Sequence, residues 1–275
     1  MNKKIGIILA LVLVSLMMVG TASAGLFDFL GGSSQTNTTN DNDTFIVGFD
    51  AEFPPYGYQD DNGSYTGFDL DLAKEVCERN NWTFKAQPID WDAKDAELES
   101  ASIDCIWNGF TIDGRENDYL WSNPYFDNKQ IFVVKSDSNI TSIADLEGKI
   151  VETQKDSSAL AALEGDNKTI ADTFKQLTQV ADYNTAFMDL ESGACDAVAM
   201  DIGVAEYDID QKNNTDAYSI LDEAITTEKY GIGFKKGNTA LKDQVQATLD
   251  EMFKDGTVLK IAQKYGISED ALIQP

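Results

Sequence analysis

Residues 45–76 read FIVGFDAEFPPYGYQDDNGSYTGFDLDLAKEV. An apolar run, 45–49, ends in an acid, Asp50, and an aromatic-proline lip follows, Phe53-Pro54-Pro55-Tyr56. The polar stretch 60–64 reads as a turn and delivers the chain to Gly67-Phe68-Asp69. From there Leu72, Ala73, Val76 and Cys77 recur at helical spacing, so a helix is predicted over 69–79 with Asp69 as its N-cap. Asp69 and Asp71 are accordingly read as acids favoured by the helix dipole rather than as site residues.

Outward from this unit, strand and helix signals alternate, the pattern of a mixed α/β protein. Strands are predicted over 83–89, 103–107 and 130–135, with a short helix over 93–100. A second α/β unit follows: a helix over 142–146, a strand over 149–153, helices over 158–164 and 185–192, a strand over 195–200, a helix over 203–212 and a strand over 218–221. A final strand over 230–234 leads to helices over 239–254 and 257–265. No internal repeat is seen, and periodicity alone does not say how the units pair.

The N-terminus has a targeting pattern. Lys3 and Lys4 precede an apolar core over 5–19, and Ala22-Ser23-Ala24 is an A-x-A cleavage signal. Residues 1–24 are read as a signal peptide cleaved after Ala24, with an uncleaved anchor as the alternative. No cysteine lies near it for a lipoprotein anchor. Residues 25–43 are read as a flexible linker, since GGSSQTNTTNDNDT over 31–44 has no apolar periodicity. The chain is therefore expected to be exported, extracellular or periplasmic, with membrane tethering through the linker as the alternative.

Forty-seven acids against 21 Lys and Arg give a net charge of −26, which argues against a nucleic-acid partner. The absence of histidine removes the commonest zinc ligand and every Ser-His or Cys-His nucleophile arrangement. No cofactor or metal is expected. Cys77, Cys105 and Cys195 lack metal-ligand spacing. They read either as one disulfide plus a free thiol or as buried small hydrophobes. N-glycosylation sequons occur at Asn37, Asn42, Asn62, Asn81, Asn139, Asn167 and Asn213.

Four further motifs follow the opening stretch: Ile89-Asp90-Trp91; NGFTIDGR over 108–115; QKDSSA over 154–159; and CDAVAMD over 195–201. In this order behind a signal peptide, they resemble the extracellular solute-binding proteins that capture polar amino acids for ABC transporters (family 3), over about 230 residues from Phe45 onward. The resemblance implies a two-lobed, type 2 periplasmic-binding-protein fold with two hinge crossings and a ligand cleft. Lobe 1 would hold 44–126 and 229–275, and lobe 2 would hold 129–226. It implies capture of a free amino acid, polar or cationic, by a monomer that delivers it to an ABC transporter permease. A ligand-sensing receptor module and a cyclohexadienyl dehydratase-like enzyme on the same fold are the alternatives. The dehydratase-like members have lost the ammonium-binding acid, and the acid in the matching position here, Asp201, argues against that reading.

A free amino acid brings a carboxylate and an ammonium, and a dry site must neutralise both. By resemblance the Gly109 carbonyl accepts from the ammonium, while Thr111 and Arg115 hold the carboxylate. One residue fewer separates Thr111 from Arg115 than is usual in the family. Ser158 grips the carboxylate from the second lobe, with Gln154 at the rim. A helix N-terminus there suits an anion, and Ser157 or Ser158 also reads as an N-cap. A glycine often stands at the place of Asp156. Asp201 pairs with the ammonium, Phe53 and Trp91 sandwich the ligand's stem, and Asp50 faces its side chain. The implied mechanism is hinge closure: ligand binds lobe 1, and lobe 2 then adds Ser158 and Asp201.

Overall fold

The computed structural model describes residues 44–212 and 214–274. The expected signal peptide and linker, and the sequons at Asn37, Asn42 and Asn213, lie outside the described residues. Two sheets carry the architecture. The first has five strands in the order Thr83–Pro88, Thr44–Phe49, Cys105–Ile106, Gly233–Phe234, Leu120–Trp121. Its first three strands are mutually parallel and the last two run against their neighbours. The second is built on Phe126–Lys135 and has the order Gln176–Val180, Ile150–Gln154, Ala197–Asp201, Phe126–Lys135, Tyr218–Ile220, with Thr226–Tyr230 also paired to the long strand. A small three-stranded sheet, Glu52–Phe53, Gly57–Gln59 and Tyr65–Thr66, folds the aromatic-proline lip.

The chain passes between the large sheets twice. It leaves the first after Leu120–Trp121 and enters the second at Phe126. It returns from Thr226–Tyr230, which runs antiparallel to the long strand with Tyr230 opposite Phe126, to Gly233–Phe234. The single strand predicted over 230–234 is thus two short strands in different sheets. Its apolar run gave no sign of the break, because Ile232 between them is itself buried.

Alternation places the core. Phe45, Val47 and Phe49 pack with Leu72, Val76 and Cys77 of the helix Phe68–Asn80, and with Val245, Leu249 and Met252 of the helix Thr239–Lys254. In the second sheet Phe132, Val134, Val151, Ala197 and Ala199 pack on Ala159 and Leu163 of the helix Ser158–Glu164. Each fully buried Val, Leu or Phe side chain contributes about 1.5–3 kcal/mol by leaving water. The three cysteines are free and buried, so the small-hydrophobe reading holds. Burial pushes the Cys77 and Cys195 thiols up to about 12.

Asp69 is not the N-cap. The helix begins at Phe68 with Gly67 in the capping position, at φ 139°. A Cβ at Gly67 would lie 2.3 Å from the Tyr56 carbonyl oxygen, so only glycine fits. Asp69 turns inward with no exposure, a tertiary use that a local capping pattern cannot reveal. The strand Gln176–Val180 was also not predicted; it is a polar edge strand with no fully buried position, so it lacks an apolar signature.

Candidate functional site

The segment after Cys105–Ile106 carries Asn108, Gly109, Thr111 and Arg115 toward the second sheet. Gly109 takes φ 54°, and a Cβ there would lie 2.8 Å from the Phe53 ring and 3.1 Å from the Tyr230 ring. The backbone therefore approaches both rings as only glycine allows. From the other side, Gln154 ends a strand, Ser157 caps the next helix by accepting from the Leu160 N–H at 3.1 Å, and Ser158 opens that helix.

These elements enclose one small cavity. It is lined by Phe53, Trp91, Gly109, Thr111, Arg115, Gln154, Ser158 and Asp201, together with two residues the sequence reading did not single out as ligand contacts, Asn108 and Ser157. Asn108 sits inside the matched NGFTIDGR motif, which was signal enough to include it. Arg115 is the one cation of this lining and Asp201 the one acid. Phe53 and Trp91 supply apolar walls, and Trp91 meets Phe110 edge-on with centroids 5.4 Å apart. Chemically, the cavity offers a guanidinium with the Thr111, Ser157 and Ser158 hydroxyls for an anion, a carboxylate for a cation, and rings for the carbon skeleton between.

Asp50 is not in this lining. It is buried behind Gln154, whose Nε2 donates to Asp50 Oδ2 at 2.5 Å and to the Ala181 carbonyl at 3.1 Å. Burial raises the Asp50 carboxyl above its ordinary value, opposed by the Glu52 N–H and the Gln154 amide. Gln154 is itself buried rather than at a rim, because the two sheets' loops meet there. Asp50 opens instead onto an adjoining groove with Glu52, Asp90, Trp91, Asp92 and Asp182.

Further contacts join the same two sides. Lys94, buried with 1% exposure, pairs with Asp156 and lies 5.2 Å from the Trp91 ring centroid. Asn184 donates to Glu52. Asp156 holds φ 56°, which explains why glycine suits this place, and here its side chain reaches Lys94 instead. The Arg115 guanidinium donates to the Asp156 carbonyl at 3.0 Å and the Thr111 carbonyl at 3.4 Å.

Asp201 ends the strand Ala197–Asp201, where its carboxylate meets the crossing strands. Its Oδ1 accepts from Asn128 Nδ2 at 2.7 Å and from the Tyr230 hydroxyl at 2.5 Å. Burial, then the nearby Glu228 carboxylate, pushes the Asp201 carboxyl well up. Asn128, Gln130, Glu228 and Tyr230 were missed by the sequence reading. Their signal was available, as polar residues at alternate, buried positions of two adjacent strands.

Behind the cavity, Asp69 Oδ2 accepts from the Gly109 N–H at 2.6 Å and Oδ1 from the Tyr125 hydroxyl at 2.8 Å. Burial raises this carboxyl from 3.8 to about 7, against the pull of those donors. Between these values folded Asp69 keeps a proton that the unfolded chain releases. Its contribution to stability therefore falls as pH rises from about 4 to about 7, by at most about 1.4 kcal/mol per unit. Asp69→Asn should remove that share, so urea unfolding at pH 5 and pH 8 should show a smaller difference in the variant than in the parent chain. An equal difference would contradict the assignment.

With this geometry the family is defined. The sequence matches the model of bacterial extracellular solute-binding proteins, family 3, over residues 45–268, and the chain belongs to that family. The L-cystine-binding protein TcyJ of Escherichia coli K12 is 29% identical over 238 residues, covering 83% of this chain and 85% of the relative. A solved substrate-binding protein of an ABC uptake transporter from Streptococcus pneumoniae, with bound histidine, superposes with TM-score 0.80 at 34% identity. That match covers 84% of this chain and 95% of the pneumococcal one. An ancestral arginine-binding protein bound to glutamine gives TM-score 0.74 at 37% identity, over 81% of this chain and 97% of its own. These matches are two-lobed amino-acid-binding proteins, and the fold is theirs.

Proposed function

We propose that this chain captures a free amino acid outside the cell membrane and delivers it to an ABC transporter permease, without turning it over. The observation that carries the reading is the cavity itself, with one cation, Arg115, and one acid, Asp201, set among aromatic walls. A zwitterion supplies the complementary pair of charges, and neither could be buried there unpaired at low cost. The carboxylate lies against Arg115, Thr111 and Ser158, the ammonium against Asp201 and the Gly109 carbonyl, and the carbon stem between Phe53 and Trp91. Cystine, histidine and glutamine, named with the relatives, all carry this shared head group. Retention of Asp201 favours binding over the dehydratase-like chemistry.

Lobe 1, 44–126 with 229–275, would receive the ligand, and lobe 2, 129–226, would close on it as a monomer. The cross-cleft contacts Gln154–Asp50, Lys94–Asp156 and Asn184–Glu52 support closure of this kind. Signal-directed export places the protein where such a ligand is free. Among the described residues no helix is long and apolar enough to cross a membrane.

The side-chain end is acidic. Asp50, Glu52, Asp90, Asp92 and Asp182 border it with one lysine, Lys155. A second anion there is unfavourable, so a cationic or amide-bearing ligand is expected: arginine, lysine, ornithine, glutamine or histidine. A thermal-shift screen of the twenty amino acids tests the function, since ligand at 100 times its Kd adds about 2.7 kcal/mol. No shift with any amino acid would reject it. In competition, one of the five should displace the others at the lowest concentration; displacement led by aspartate or glutamate would overturn the side-chain reading.

A further inference from the structure

Glu228 has no part in the carboxylate or stem contacts above, yet it is buried beside Asp201. Both acids are 4% exposed. One amide bridges them: Asn128 Nδ2 donates to Asp201 Oδ1 and to Glu228 Oε1, each at 2.7 Å. A second amide, Gln130 Nε2, donates to the same Glu228 Oε1 at 2.7 Å and to Ser158 Oγ at 2.8 Å. The register explains the cluster. Gln130 is the cross-strand partner of Asp201, and Asn128 that of Glu228. Glu228 also borders a groove shared with Arg115, Ser158 and Asp113.

Among the described residues no cation is ion-paired with either acid, although Arg115 shares the cavity with Asp201 and a groove with Glu228. The groups that bond to Asp201 or act on it electrostatically from the neighbouring elements include Asn128 and Gln130, Tyr230 and Glu228, Tyr56 from the lip, and Tyr183 from the helix Tyr183–Ser192, all neutral or acidic, while Arg115 faces the same cavity from the other side. Lys129 and Lys229 occupy the exposed alternate positions of the crossing strands. Neither they nor Arg115 form an ion pair with either acid among the described residues. Two adjacent buried carboxylates cannot both stay ionised without compensation, so one proton or one external cation must be held there.

We propose that Glu228 is the second acid of the ammonium subsite and makes ligand capture proton-linked, the ligand's ammonium replacing a proton held by Asp201. The inference rests on the reading of Asp201 given under Proposed function. The step balances: the Asp201 O–H gives its proton to solvent, and the ammonium N–H groups donate to the carboxylate left behind. Burial and the Glu228 charge both favour that proton in the empty site. Affinity therefore rises with pH until empty Asp201 is itself ionised, and is flat above that point.

The test is calorimetry on the exported chain with the tightest-binding of the twenty amino acids, in phosphate and in Tris at pH 7, with any titration of the free ligand subtracted. Binding should release protons, seen as a buffer-dependent heat, and affinity measured from pH 5 to 8 should climb. Glu228→Gln keeps the acceptor oxygen for Asn128 and Gln130 but removes the charge. It should release fewer protons and shift the climb to lower pH by about one unit. Buffer-independent heat with a flat profile in the parent chain, or a variant profile that superimposes on it, would overturn the inference while leaving amino-acid capture intact. Failure of the parent reading looks different: no amino acid binds, or Asp201→Asn binds as tightly as the parent chain.

Discussion

Replacing Arg115 by alanine is expected to weaken amino-acid binding by roughly 30-fold or more, because removing one partner of a desolvated charge pair costs about 2–5 kcal/mol. The guanidinium is unusually available. It donates to two backbone carbonyls, of Thr111 and Asp156, and stands 5.4 Å from the Phe110 ring centroid. Among the described residues it has no carboxylate partner, unlike Arg79, which is held by Glu75 and Asp255. A planar fork of this kind is suited to a ligand carboxylate, and lysine does not reproduce it. Arg115→Lys should therefore recover only part of the loss. Because Arg115 also bonds to the Asp156 carbonyl across the cleft, each variant needs a thermal unfolding control. A change below about threefold in Kd by calorimetry, with the fold intact, would remove Arg115 from the site.

Asp201→Asn should produce the other large effect, and a selective one. The carboxylate is held by Asn128 and Tyr230, so the asparagine side chain keeps the shape of the site while losing the charge. The parent chain should bind an amino acid far better than the matching α-hydroxy acid, which lacks the ammonium. The variant should narrow that preference by losing the amino acid much more than the hydroxy acid. Hydrogen bonds to charged groups contribute about 1.5–3 kcal/mol, which corresponds to roughly 10- to 150-fold in the preference ratio. If the hydroxy acid binds the parent chain as well as its amino analogue, Asp201 does not read the ammonium.

The parts of this protein legible in its sequence were those carried by local pattern. The strand Thr44–Phe49 and the helix Thr239–Lys254 follow from apolar periodicity, and the cavity-lining loops from short motifs at strand ends. What stayed hidden depends on partners distant in sequence. Asp69 looked like a helix cap because its use is a bond to Gly109, forty residues away. Asp50 lies outside the small cavity and on the adjoining groove, and nothing local shows that Gln154 stands between them. Glu228 lies in a stretch to which the sequence pattern assigns no element, and its meaning comes only when Thr226–Tyr230 pairs with Phe126–Lys135 and sets it beside Asn128. Lys94 lies in the short helix predicted over 93–100 and nothing local marks it; burial against Trp91 and pairing with Asp156 require both sides of the cleft.

A crystal structure of the chain grown with its tightest-binding amino acid tests the central claim most directly. The ligand should lie between Phe53 and Trp91, with its carboxylate on Arg115 and Ser158 and its ammonium within hydrogen-bonding distance of Asp201. A ligand bound outside this cavity, or one inside it with its ammonium turned toward Arg115, would contradict the account.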